Sequence, residues 1–75
     1  MEETRKVNGW DFEYNEDCEL YQCRGMVLYD DEHDQIPEPS LWAAGEVLEK
    51  QLRAEGHEAT VEHSEKGWVE VCIHS

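Results

Sequence analysis

Basic side chains are scarce in this 75-residue chain: six Lys and Arg stand against 19 Asp and Glu, a formal net charge of −13. A field of that sign repels DNA, RNA and anionic lipid, so direct nucleic-acid binding and membrane-surface binding are excluded as expected functions. No run of about 18 apolar residues occurs, which argues against a membrane-spanning helix. The opening Met1-Glu2-Glu3 lacks the basic and apolar stretches of a secretory leader, so the expected location is the cytoplasm. Three cysteines, Cys18, Cys23 and Cys72, are odd in number and too sparse for a disulfide framework, which fits reduced thiols. Phosphate-cradling glycine loops, a G-x-S-x-G elbow and an H-E-x-x-H pair are also missing. A domain this short leaves little room for a water-excluding cleft, and no enzyme is expected. Leu, Ile, Val and Phe make only 14 of 75 residues. Folding therefore rests on three Trp and three Tyr with large buried areas, and on clean periodic patterns.

The strongest of those patterns is PSLWAAGEVLEKQLRAEG, residues 39–56, with the spacing of one amphipathic helix. Leu41, Ala44, Leu48, Gln51 and Leu52 share a face, with Trp42 and Val47 at its edges. Ser40 is the expected N-cap, behind Pro39, and Gly56 the expected terminator. Glu46 with Lys50 and Glu49 with Arg53 are spaced as i,i+4 pairs. Gly45 lies near the apolar face, where it costs about 1 kcal/mol against Ala. It is either a tolerated glycine or a point of close approach to an aromatic or to a sheet.

Elsewhere the period is two. Trp10 to Tyr14 alternates aromatics with acids, Asn15-Glu16-Asp17 is a turn, and a second strand runs from about residue 18 to Tyr29 with Gly25 as a bulge. Residues 30–39 form an acidic connection. Glu58–His63 and Trp68–His74 alternate again around a Ser64–Gly67 hairpin loop. The expected fold is α+β, a single small β-β-α-β-β domain over residues 9–75 in which one helix covers one face of an antiparallel sheet. Residues 1–8 are a polar lead-in. The uncovered face is expected to carry Asp11, Glu13, Thr60, Glu62, Trp68, Glu70, Cys72 and His74.

Acids are also bunched along the chain. Val7 to Cys23 holds five acids and Gly25 to Glu49 holds seven, with no base in either stretch. Carboxylates spread over a rigid sheet and an adjoining loop can occupy a basic groove as phosphates do. The expected partner surface comprises Asp11, Glu13, Asp30, Asp31, Glu32 and Asp34, with Trp68 as aromatic anchor. The expected function is a non-enzymatic protein that blocks a basic, nucleic-acid-binding surface of a protein partner. In size and charge, though not in any residue pattern, the chain resembles the small acidic DNA-mimic inhibitors that bacterial viruses make against restriction or CRISPR nucleases.

Two other readings stand beside it. In one the chain is a structural or regulatory subunit, a homodimer through an exposed sheet edge, with charge serving solubility alone. In the other Cys72 and His74, with Cys18 or Cys23 and His57 or His63, hold zinc, although no C-x-x-C or H-x-x-x-H spacing is present. No cofactor is expected. Asp30, Glu32 and Asp34 have the alternation of a calcium loop, but Gln35 stands where glycine is needed and Leu41 where the bidentate Glu is needed.

Overall fold

A computed structural model describes residues 3–74. In chain order it contains β1 (Thr4–Val7), β2 (Trp10–Asn15), β3 (Leu20–Arg24), β4 (Leu28–Tyr29), β5 (Gln35–Ile36), α1 (Pro39–Ala54), β6 (Glu58–His63) and β7 (Trp68–His74). Five strands make one antiparallel sheet in the order β1-β2-β3-β7-β6, and β4 and β5 form a separate two-stranded ribbon. The expected α+β class, with one helix on one face of an antiparallel sheet, is the observed one.

Thr4–Val7, read from sequence within a polar lead-in, is instead the edge strand β1, so the boundary drawn after residue 8 falls inside a tight turn. Asn8 and Gly9 make that turn with φ of 51° and 86°. Both central residues at positive φ are what a two-residue hairpin needs for its twist to match its strands.

The helix starts one residue earlier than its expected cap. Pro39 is the first helical residue, Glu38 (φ −61°, ψ 125°) is the N-cap, and no side chain caps the end. Proline suits that first position because its missing N–H has no partner there in any helix. Ser40 instead donates to Glu38 Oε1 at 3.4 Å. At the other end Gly56 takes φ 96°, with Gly56 N–H donating to Arg53 O and His57 N–H to Leu52 O, both at 3.0 Å. These are the paired bonds of a Schellman stop.

Leu41, Ala44, Gly45, Leu48 and Leu52 are buried, whereas Gln51, assigned to that face from the wheel, is exposed. A Cβ on Gly45 would lie 2.8 Å from Val69 Cγ1 and 3.0 Å from Val61 Cγ2. The glycine therefore marks a close approach to the sheet, made by valines rather than an aromatic. Inward residues Phe12, Tyr21, Cys23, Ala59, Val69, Val71 and Ile73 complete the core with Val7. Tyr21 is fully buried, and its hydroxyl accepts from Arg5 Nε at 3.1 Å.

The expected long second strand is two pieces. β3 stops at Arg24, and Gly25 is no bulge within a strand: its N–H donates to Gly67 O at 2.9 Å and the chain leaves the sheet. A Cβ at Gly25 would meet Leu41 Cδ2 at 2.5 Å.

Candidate functional site

The helix covers one side of the sheet, and strand register fixes what the other side presents. Successive Cα partners Thr4↔Glu13, Glu13↔Gln22, Gln22↔Glu70 and Glu70↔Glu62 form one rung across all five strands. At about 4.8 Å per strand the rung is about 19 Å long. It holds three carboxylates and no cation. Glu13 and Glu62 are exposed, Glu70 is half-buried, and none of the three forms an ion pair among the described residues.

Glu62 and Glu70 stand directly opposite each other. The Val61 N–H points off the edge of the sheet, to Glu49 Oε2 at 2.9 Å, so Val61↔Val71 is a pair without ladder bonds. By alternation Glu62↔Glu70 is the hydrogen-bonded kind, with Cα atoms about 5.5 Å apart. Like charges so placed are destabilising.

The neighbouring rungs differ in kind. On one side Lys6 faces Asp11, with Nζ 4.0 Å from Oδ1, and Arg24 faces Trp68. On the other, Asn15, Leu20, Cys72 and Thr60 align without charge. Leu20 is buried there, yet outside the core cluster. The uncovered face thus grades from a mixed rung through an acidic one to a neutral one.

The expected partner residues fall into two groups. Asp11, Glu13 and half-buried Trp68 do share the uncovered face, as do Thr60, Glu62, Glu70, Cys72 and His74. Asp30, Asp31, Glu32 and Asp34 lie at the exposed tip between β4 and β5. There Asp30 Oδ1 accepts from the N–H groups of Glu32 and Asp34, both at 2.9 Å, so this carboxylate shapes its own turn. Asp31, Glu32 and Asp34 make no ion pair among the described residues. Asp11 has Lys6 opposite it, whereas the partners of Glu13 in the rung, Thr4 and Gln22, are uncharged.

Two of the bases are committed elsewhere. Arg5 makes a forked pair with Glu55 at 2.6 and 2.7 Å, which holds the Glu55 carboxyl below its ordinary pKa. Arg53 lies 3.9 Å from Glu49 and donates to Ala59 O at 2.9 Å. The i,i+4 pair expected between Glu46 and Lys50 is not closed.

The two cysteines within strands, Cys23 in β3 and Cys72 in β7, are favoured as thiols. Burial, then Asp11 and Glu13, push Cys23 up; burial, then Glu62 and Glu70, push Cys72 up. Thiolates are the metal-binding and nucleophilic form, so both shifts oppose that chemistry. Cys23 pairs with Val69 on the covered face and Cys72 with Leu20 on the uncovered one, which separates two of the ligands considered for zinc. Among the described residues no three His, Cys, Asp or Glu side chains come together as a metal site. His74 Nε2 lies 3.1 Å from Thr60 Oγ1.

The described residues form shallow depressions. One of about 460 Å³ is lined by Glu3, Thr4, Glu13, Tyr14 and Glu16, and one of about 310 Å³ by Arg53, His57, Glu58, Ala59, Thr60 and His74. The larger has three carboxylates in its wall, and Glu16 with Glu19 helps to raise the Tyr14 pKa behind partial desolvation.

Among the described residues no helix is long and apolar enough to cross a membrane. Compared with known proteins, the chain matches no family model, no curated protein and no solved structure.

Proposed function

We propose that this is a non-enzymatic binding protein whose acidic surface occupies a basic, nucleic-acid-binding surface of a protein partner and blocks it. One observation carries the reading: the Glu13–Gln22–Glu70–Glu62 rung, with two carboxylates directly opposed and no cation in line. A sheet that needed charge only for solubility has many places to put it that do not set like charges against each other. Three carboxylates over about 14 Å have a mean spacing of about 7 Å, roughly twice the about 3.4 Å per phosphate of one DNA strand. Electrostatic complementarity of this kind speeds association and selects partners more than it adds raw affinity. Restriction and CRISPR nucleases, the targets of the inhibitor class the chain resembles in size and charge, are the partner class to test first.

The homodimer alternative loses one of its two edges. On β6, Glu49 accepts the Val61 N–H and Arg53 donates to Ala59 O, which fills groups a second copy would need.

The test compares the wild-type chain with a Glu13→Gln/Glu62→Gln/Glu70→Gln variant as bait in extract of the native cell. Retained proteins that bind duplex or single-stranded DNA, that nucleic acid or moderate salt releases, and that the variant fails to hold support the reading. Retention indifferent to salt and to nucleic acid defeats it.

A further inference from the structure

Four large apolar side chains are markedly exposed among the described residues, and three of them fall in one four-residue window: Met26 at 64 %, Val27 at 41 % and Tyr29 at 61 %. Single exposed apolar residues need no explanation, but three within four residues do. These three lie on the arm between Gly25 and Glu38, which carries the β4–β5 ribbon. Leu28↔Ile36 is a half-buried pair, and Tyr29, on the other face of the ribbon opposite Gln35, is exposed.

The arm leaves the sheet in a fixed direction. Two strands of two residues cannot hold themselves in water, so the support comes from its base. There Gly25 N–H bonds Gly67 O, and Gln35 Nε2 donates to Ser64 O at 2.8 Å. Gly67, at φ 86°, sits so close that a Cβ would come within 2.8 Å of Gly25 O and 3.1 Å of the Met26 backbone. At the far end Asp30 ties the tip into a turn and leaves Asp31, Glu32 and Asp34 pointing to solvent.

A set of exposed apolar side chains with an aromatic, bordered by unpaired carboxylates, is the complement of a groove with basic walls and an apolar or aromatic floor. Grooves that hold single-stranded nucleic acid are built that way: Lys and Arg track the phosphates and aromatic side chains stack the bases. A duplex-binding surface reads phosphates and groove edges and has no such floor. A second copy of the chain is a poor occupant, because it brings the same acidic tip and a net charge of −13.

We propose that the arm imitates a single strand, with Tyr29, Met26 and Val27 seated where bases stack and Asp31, Glu32 and Asp34 where phosphates bind, in the groove of a single-strand-binding partner. The proposal rests on the reading above and narrows it to one class of groove and one element of this chain.

The experiment takes the proteins retained by wild-type bait and challenges them with oligo(dT) or with duplex DNA at equal phosphate concentration. A Met26→Ser/Val27→Ser/Tyr29→Ser bait is run beside the Glu13→Gln/Glu62→Gln/Glu70→Gln bait, and circular dichroism melts check that each still folds. The expected result is displacement by oligo(dT) at a concentration at least about tenfold below that of duplex, with retention by the arm variant weakened about tenfold or more. Equal displacement by both competitors, or an arm variant that binds as wild type does while the rung variant fails, overturns the single-strand proposal and leaves the broader one standing. Wild-type bait that retains no nucleic-acid-binding protein defeats both.

Discussion

Replacing Gly45 by alanine tests how closely the helix seats on the sheet. In an exposed helix interior this change stabilises by about 1 kcal/mol. Here the new Cβ meets Val69 Cγ1 at 2.8 Å and Val61 Cγ2 at 3.0 Å, both on short branched side chains of a buried surface. Overpacking of that kind costs about 1 to 3 kcal/mol, so the net expectation is a loss of about 1 kcal/mol. For a domain of this size that is a fall in Tm of about 4 to 8 °C. Ala43→Gly, at an exposed position of the same helix, isolates the propensity term and should cost about 1 kcal/mol. Val69→Ala alone should cost about 2 kcal/mol through lost burial. Combined with Gly45→Ala it should cost less than the sum, because the added methyl enters the vacated space. Urea melts of wild type and the four variants measure every quantity. A Gly45→Ala protein more stable than wild type, or strict additivity in the double variant, refutes the close-approach argument.

Glu62→Gln and Glu70→Gln should each raise stability by a few tenths of a kcal/mol at low salt, since a pair about 6 Å apart in water repels by about 0.7 kcal/mol before screening. The double variant should gain less than the sum, and the coupling should fade at 0.5 M salt; a pair found to be attractive in the cycle contradicts the rung argument. Glu55 has its folded pKa depressed by Arg5, so its contribution is present above the unfolded value of about 4.3 and lost as pH falls through the folded one. Denaturation of wild type and Glu55→Gln should therefore differ at pH 6, with the difference shrinking as pH falls below about 4.3. Gly9→Ala puts a side chain at φ 86° and should cost about 1 to 2 kcal/mol, with loss of amide protection confined first to Thr4–Val7. Glu49→Ala should speed exchange of the Val61 amide at least tenfold, although Glu49 looks like a surface charge; unchanged protection shows that its hydrogen bond to Val61 does not hold in solution.

Local signals read well wherever a single element decides the outcome. The Leu41–Leu52 spacing, the Gly56 stop, the left-handed Gly67 and the alternation of Trp68–His74 all give the observed elements. Strand β1 is hard to read because one of its two inward residues is an arginine, held by Tyr21 and Glu55, 16 and 50 residues away. The Asn8-Gly9 pair was the readable sign of it. The Gly25 break depends on Leu41 and Gly67, which no window around residue 25 contains. Alternation placed Glu13, Glu62 and Glu70 on one face, yet their alignment into a rung needs β3 beside β7, and strand order is not written in period-two patterns. The exposure of Met26 to Tyr29 is not legible in the sequence because a run of four apolar residues also fits a buried strand.

The two helix side chains that occupy the rim of β6 tie the fate of that rim to the fate of the helix. If the helix lifts, the core opens and the strand regains its vacant amide and carbonyl at the same moment, so a half-open molecule is adhesive in one direction. High negative charge slows such molecules from meeting, and it is weakest as a safeguard in concentrated salt. Storage in strong salt, often chosen to quiet an acidic protein, is then the condition under which this one should polymerise through strand addition.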